Sequence, residues 1–435
     1  MTVKEIKIGI IGFGTVGAGV AANILANSDV IASRAGVKLV LAKVADLDIT
    51  TDRGVRIPNG VLTTDAAEAI RTIREADIVV ELVGGTTVAK KFILDAIRAG
   101  KPVVTANKAL LALHGEEIFS AAEAAGVDVY YEASVAGGIP IIKALREGLV
   151  SNRIHRIYGI MNGTCNYILT RMENEGADFN TVLADAQKLG YAEANPSLDI
   201  DGFDTAHKTA ILAALAFGEW FGLDPVHVEG IRDLELADLR YAEELGYRIK
   251  LLSVIKESEG NVQMSVRPTL IPRNTLLANI SDVFNGVLVE GDTVGQTLFY
   301  GRGAGRNATA SAVVADLTDV AINLAVGSVR RTPAFRPGKL FRRVLTMEES
   351  ESRFYLRLQV RDCPGVIASI AQILADKSIS ISSLIQHERR EADGTVALVI
   401  LTHSAAEKSL RAALAELATL SINQSPVKLM RIEDI

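Results

Sequence analysis

The densest concentration of functional side chains lies between Gly190 and Lys208, in the run Gly-Tyr-Ala-Glu-Ala-Asn-Pro-Ser-Leu-Asp-Ile-Asp-Gly-Phe-Asp-Thr-Ala-His-Lys. The part before the helix carries Glu193, Asp199 and Asp201, and a loop so rich in acids suits recognition of a cationic amino group. Asp204 and Lys208 stand four apart at the start of an apolar helical pattern, and therefore on one face. A lysine beside a carboxylate is a general acid/base when burial lowers its pKa. The same spacing also makes an ordinary exposed salt bridge, with Asp204 near the positive end of the helix. Spacing alone leaves both readings open. A calcium loop at 199–202 is a poor match, because its twelfth position is Ala210, where such a loop needs a glutamate.

A second constellation is Gly12-Phe13-Gly14-Thr15-Val16-Gly17, directly after the apolar run 6–11 and opening a helical stretch. Glycines there permit a tight turn and close approach of a pyrophosphate, while the helix N-terminus offers free N–H groups and a favourable dipole. A turn that merely contains glycines is the competing reading. Asp46 follows the next apolar run, where an acid can bond a ribose hydroxyl. It lies further along than the usual ~20 residues, a delay explained by the longer connection at 27–36. An acid at that place favours NAD, with NADP left open. Thr105-Ala106-Asn107-Lys108 ends another strand-like run, and Lys108 is then either a ligand-facing group in the crevice or a surface lysine.

These groups need a scaffold. Apolar runs at 6–11, 37–44, 78–83, 102–106 and 127–132 alternate with helical patterns at 18–25, 90–99 and 116–125, which predicts βαβ units and a parallel sheet over 1–150. The region 151–303 reads as α+β, with strands at 156–161, 245–256 and 262–268 and helices at 167–174 and 204–217. A helix at 309–326 returns to the first domain, so that 304–327 is counted with it. Arg330, Arg331, Pro333, Pro337 and a charged run at 348–352 mark 328–352 as a linker. Residues 353–435 then read as βαββαβ, through elements at 354–360, 367–377, 379–387, 395–402, 405–418 and 425–431.

Composition narrows the class. With 49% hydrophobic and 23% charged residues in 435, the chain has the balance of a globular enzyme of two or three domains. A net charge of −6 argues against non-specific nucleic-acid binding. The two cysteines, Cys165 and Cys363, form no CxxC pair, and no HExxH occurs, so a disulfide framework and a catalytic zinc site lack support. No export signal and no continuous run of about 18 apolar residues is seen, which predicts a cytoplasmic protein without a membrane span.

The stretch 186–208 resembles the signature of homoserine dehydrogenases: Ala, three residues, Gly, an aromatic, then Asn-Pro, Asp and Gly-x-Asp-x-x-x-Lys. Asn162-Gly163-Thr164 with Asn166, the segment 105–108 and the turn Gly301-Arg302-Gly303-Ala304-Gly305 are similar to that family in the same order. The resemblance implies a Rossmann-type parallel sheet, an α+β catalytic and dimerisation domain, and interconversion of homoserine and aspartate semialdehyde with NAD(P). It implies that Lys208 is the proton donor and acceptor at the hydroxyl, with Asp204 assisting. Glu193 would bind the amino group, and Lys108 would lie between nicotinamide and substrate. Gly190 and Gly303 would touch the cofactor, together with the turn at Gly12, Phe13, Gly14, Thr15, Val16 and Gly17 and with Asp46. A sodium ion is implied close to Glu132, Val135, Gly137 and Ile139, held by one carboxylate and three main-chain carbonyls; hard oxygens suit such a cation. Two departures stand out. Cys165 replaces a frequent threonine, which raises a rival reading as the covalent nucleophile of an aspartate-semialdehyde-type oxidoreductase. Ala45, not arginine, stands beside Asp46, against a strong NADP preference.

The C-terminal βαββαβ (ferredoxin-like) unit resembles an ACT domain, with Asp362, Gly365 and Val366 in the loop where such domains bind amino acids. The resemblance implies threonine as allosteric ligand and a homodimer or homotetramer; a purely structural pairing module is the alternative. No aspartate-kinase segment is present, so the expected form is monofunctional. A non-catalytic nucleotide and amino-acid sensor is the remaining rival, and the intact Glu193, Asp204 and Lys208 speak against it.

Overall fold

A computed structural model describes residues 3–64, 72–328, 330–333, 335, 342–387 and 394–435. The chain forms two compact units: Met1–Gly163 with Asp204–Asp224 and Val283–Arg342, and Thr164–Phe203 with Pro225–Asp282 and Arg343–Ile435.

In the first unit, six parallel strands lie in the order β3-β2-β1-β4-β5-β6. They are β1 (Lys4–Ile11), β2 (Val37–Ala45), β3 (Leu62–Thr63), β4 (Ile78–Glu81), β5 (Val103–Thr105) and β6 (Val129–Tyr130). Strands buried on both faces need near-continuous apolar sequence, and β1 accordingly buries Ile6, Ile8, Ile10 and Ile11. The order reverses at β1, which places a crevice at its carboxyl end. Helix Arg306–Val326 covers the sheet, inserting Ala310, Val313, Leu317, Val320 and Ala321 into the same core as Val20, Ala21 and Ile24 of helix Thr15–Ala26. Gly19 allows the close crossing: a Cβ there would lie 2.9 Å from Arg306 and 3.1 Å from Ala310. By length and composition Arg306–Val326 also qualifies as a membrane span, which the sequence reading did not anticipate. Its apolar side is spent on the sheet, and Asp316 and Asn323 are buried with it. The unit also contains helix Phe203–Phe217 and the antiparallel strands Ile154–Ile160, Phe284–Gly291 and Gly295–Arg302.

The second unit is built on the antiparallel pair Tyr247–Ser258 and Asn261–Pro272. Strand Lys428–Ile432 pairs in parallel with the latter, and is followed by Glu351–Arg361, Thr395–Thr402 and Ile381–Gln386. Helices Val366–Asp376 and Glu407–Leu417 pack on these last strands around Leu356, Leu358, Ile370, Leu374, Leu398 and Leu410, which gives the expected βαββαβ arrangement.

Several expectations are corrected. The helix expected at 116–125 begins at Lys108, because the Asn107 side chain accepts the Leu110 N–H and caps it. The β6 run stops at Tyr130, since Glu132–Ser134 turns into a 3-10 helix. Much of the expected linker is ordered: strand Arg343–Val344 pairs with Asn261–Pro272, and Met347 is buried under a Thr346/Glu349 capping box. Helices Ser28–Ala35, Phe179–Lys188 and Leu236–Glu244 were not foreseen, nor was the hairpin of Phe284–Gly291 and Gly295–Arg302.

Candidate active site

Helix Phe203–Phe217 is packed along most of its length, and its first turn brings Asp204 and Lys208 into the interior at 4% and 7% exposure. Lys208 Nζ donates to Asp204 Oδ2 at 2.7 Å and to the Met161 carbonyl at 2.6 Å. Asn162 Nδ2 donates to the same carboxylate at 2.8 Å, and Lys108 Nζ reaches Asp204 Oδ1 at 3.0 Å. Burial alone would raise the Asp204 carboxyl, but the Lys208 and Lys108 ammonium groups outweigh it and hold it well below the usual range. The surface salt-bridge reading therefore falls. His207 is buried on the same helix, and burial, with the neighbouring lysines, pushes its imidazole below the ordinary range, against the pull of Asp204.

Lys108 is positioned by Thr105 and Asn107 before it and by Glu81, which the sequence reading passed over. Glu81 ends β4, is fully buried, and accepts from Thr105 Oγ1 at 2.7 Å and Val83 N at 2.9 Å. Asn107 donates to the Gly85 carbonyl at 2.7 Å while capping the helix that Lys108 opens. A lone acid closing an otherwise apolar strand, Ile-Val-Val-Glu, was the available signal for Glu81.

The glycine turn has the form a dinucleotide needs. A Cβ at Gly12 (φ 103°) would lie 2.5 Å from the Leu82 backbone, and one at Gly17 only 2.0 Å from the Gly12 carbonyl. At Gly14 a Cβ would meet no atom within 4 Å, so this edge of the turn faces open space. No side chain of the described residues caps helix Thr15–Ala26, which leaves the N–H groups of Thr15, Val16 and Gly17 for an anion. Asp46 sits beside the turn, its carboxylate accepting from Phe13 N and, at 2.9 Å, from Asp48 N. The carboxylate expected to meet a ribose thus also braces the turn itself. Arg53, absent from the sequence reading, lies with its Cζ 5.6 Å from the Phe13 ring centre and pairs with Asp48 at 3.1 Å. With Thr50, Thr51 and Asn59 it borders a cavity of about 320 Å³.

Gly303 is fixed by packing, since a Cβ there would collide with Asn285 Oδ1. Gly137, in left-handed conformation, lies against the Gly303 carbonyl, and Gly138 N donates to the Arg302 carbonyl at 3.1 Å. The expected sodium turn is thereby brought next to Gly303. Both Glu132 carboxylate oxygens are taken by the N–H groups of Ile142 and Lys143, at 2.9 and 2.8 Å. Burial pushes that carboxyl up to about 7, against these bonds. The Glu132 carboxylate and the main-chain carbonyls of this turn are hard oxygens of the kind such a cation takes. Among the described residues no group of three or more His, Cys, Asp or Glu side chains forms a metal centre.

In the second unit, Glu193 is exposed and Gly190 takes a left-handed conformation (φ 77°) after helix Phe179–Lys188. Gln187 Nε2 donates to the Glu193 carbonyl at 3.0 Å, shaping this loop. Cys165 is fully buried and its Sγ donates to the Asp199 carbonyl at 3.2 Å, an inaccessible place for a nucleophile. Asp362, Gly365 and Val366, with Gln386 and Val396, border a cavity of about 460 Å³ at the start of helix Val366–Asp376.

Three family models match: the homoserine dehydrogenase NAD-binding domain at 12–132, homoserine dehydrogenase at 140–318 and the ACT domain at 354–421. The homoserine dehydrogenase of Pseudomonas aeruginosa is 46% identical, covering 99% of this chain and all of that protein. The crystal structure of a homoserine dehydrogenase from Thiobacillus denitrificans superposes with a TM-score of 0.93 at 47% identity, over 99% of both chains. A hyperthermophilic archaeal homoserine dehydrogenase in complex with NADPH matches 74% of this chain and 98% of its own, at 26% identity and a TM-score of 0.61. By full-length similarity and by the three matched models, the chain belongs to the homoserine dehydrogenase family.

Proposed function

We propose that the chain catalyses the reversible NAD(P)-dependent interconversion of L-homoserine and L-aspartate 4-semialdehyde, with Lys208 moving the proton at the substrate oxygen. The observation that carries this reading is the Lys108–Asp204–Lys208 cluster, in which Asp204 and Lys208 are buried. When bound, NAD(P) supplies the hydride acceptor or donor for C4 of homoserine. Lys208, aimed by Asp204 and the Met161 carbonyl, takes the hydroxyl proton in oxidation and returns it in reduction. One carboxylate faces two ammonium groups, so positive charge is left over for an oxyanion developing at the substrate. Glu193 would hold the substrate amino group.

The glycine turn, Asp46, Lys108, Gly190 and Gly303 would hold the cofactor, and the open edge at Gly14 is where a pyrophosphate fits. Arg53 beside Phe13 supports use of NADP, as does the NADPH bound by the archaeal relative. A sodium ion would sit at Glu132, Val135, Gly137 and Ile139, held by one carboxylate and three main-chain carbonyls. Threonine would occupy the loop of Asp362, Gly365 and Val366 as a feedback ligand in threonine, methionine and isoleucine biosynthesis. We read the working form as a cytoplasmic homodimer or homotetramer without nucleic-acid or membrane partners. Cys165 and Cys363, neither of them in a disulfide, fit a reducing compartment.

The test is homoserine-dependent appearance of reduced nicotinamide, with either cofactor, in the parent and in Lys208→Ala. Loss of a positioned acid/base lowers turnover by about 10²–10⁴-fold, while cofactor KM should change little. A Lys208→Ala enzyme with near-parental turnover would refute the assignment.

A further inference from the structure

Arg431, on strand Lys428–Ile432 of the βαββαβ module, is completely buried. Its guanidinium spans two carboxylates. Nη1 donates to Glu229 Oε1 and Oε2 at 2.7 and 2.6 Å, while Nε and Nη2 donate to Glu407 at 3.1 and 2.5 Å. A buried arginine filled on both edges is held in one place, since leaving either carboxylate would strand a charge. Glu229 belongs to the segment after strand His227–Val228, outside the module, and His227 Nε2 also lies 2.8 Å from it.

That segment in turn braces the acidic loop. Glu229 N donates to the Val266 carbonyl at 2.7 Å, and Ile231 N donates to the Ile200 carbonyl at 2.8 Å. Gly230 presses so closely on the loop that a Cβ would lie 2.3 Å from the Ile200 carbonyl and 2.5 Å from Asp201. Arg232 grips Asp201 with Nε and Nη2 at 2.9 and 3.0 Å and reaches Ser197 Oγ at 3.3 Å. Two residues past Gly202 the chain reaches Asp204 and the helix that carries Lys208.

We propose that Arg431, acting through Glu229 and Arg232, is a positioning residue for homoserine: a side chain of the C-terminal module sets the 196–202 loop that leads into Asp204. The module's strand Glu351–Arg361 pairs with Lys428–Ile432 and runs on into the 362–366 loop. A shift at that loop therefore reaches the substrate loop through Arg431, Glu229 and Arg232. This last consequence rests on the reading of 362–366 as an amino-acid site; the positioning role does not.

The test compares Glu229→Gln, which keeps shape but loses the charge, and Arg232→Gln, whose parent side chain is half-exposed and whose loss spares the core. Coupled positions of this kind change affinity by roughly 2- to 30-fold. Both variants should raise KM for homoserine within that range while KM for NADP+ stays at the parental value. Threonine, its binding followed separately by calorimetry, should still bind Glu229→Gln yet no longer alter homoserine KM. If Glu229→Gln fails to fold, Arg232→Gln decides. An unchanged homoserine KM in Arg232→Gln overturns the proposal, and so does a parallel change in both KM values, which a merely structural role would produce. Absence of threonine binding in the parent would refute the regulatory reading and leave the KM comparison standing.

Discussion

Asp204 and Lys208 carry a spacing found on countless surface helices, and their chemistry comes from what covers them. The sequence placed both on one face but could not separate an acid/base pair from a solvated ion pair. The Met161 carbonyl and Asn162, more than forty residues away in the chain, make the difference. Arg53 was illegible for a similar reason. It lies seven residues beyond Asp46, and only the course of the intervening loop brings it to Phe13. With the ribose at Asp46, as proposed, an arginine there would meet a 2′-phosphate with charge-assisted hydrogen bonds. Such bonds contribute about 1.5–3 kcal/mol, so Arg53→Ala should raise KM for NADP+ roughly 10-fold or more. KM for NAD+ should move much less, and steady-state kinetics with both cofactors checks it. Equal changes would mean that Arg53 shapes the loop without reading the phosphate.

At the scale of elements, local pattern was a good guide where burial is two-sided and a poor one at ends. Strands β1, β2 and β4 are recognisable as apolar runs, whereas Lys108 became the first residue of its helix through a cap that only Asn107 and the strand before it reveal. Strand Tyr247–Ser258 misleads in another way. Lys250, a charged residue inside this strand, is 2% exposed and donates to the Ile280 carbonyl at 2.6 Å and Asn166 at 3.1 Å. Burial pushes its ammonium group down to about 8 from the ordinary 10.5. The unfolded chain therefore holds more protons between these values, and stability should rise with pH across that window and be lost as pH falls back through about 8. The full swing is of order 3 kcal/mol, at 1.36 kcal/mol per unit. Lys250→Met removes the titration, so its stability relative to the parent should be greatest below pH 8 and shrink toward pH 10.5. Urea unfolding at several pH values measures this, and a constant difference would show that Lys250 does not lose its proton in the fold.

For the molecule as a whole, the sequence suggested modules joined by a linker, while the C-terminal βαββαβ module is welded to strand Asn261–Pro272 by pairing and by buried charge. Thr269 and Leu270 pair with Arg431 and Ile432, and Glu433 N donates to the Leu270 carbonyl at 3.0 Å. Arg267, fully buried, donates to Glu433 at 2.9 Å, and Lys256 reaches the same carboxylate at 2.6 Å. Partners 166 residues apart leave no local trace, which is why this junction was invisible beforehand. Its energetic consequence is specific. Removing one member of a buried pair strands the other, at a cost of about 3–5 kcal/mol, so Glu433→Gln should lower the unfolding free energy by that order. One residue further on, Asp434 pairs with Arg353 at 2.9 Å but is 59% exposed. An exposed pair contributes within about 1 kcal/mol, so Asp434→Asn should be nearly silent. The two neighbouring substitutions remove the same charge from the same terminus, and chemical denaturation compares them directly. If Glu433→Gln is as mild as Asp434→Asn, the module is held by strand pairing alone and Arg267 finds compensation elsewhere. If the predicted gap appears, a chain ending before the module would expose an unpaired strand edge and strand Arg267 and Lys256 at once, so the dehydrogenase body should not fold stably without it.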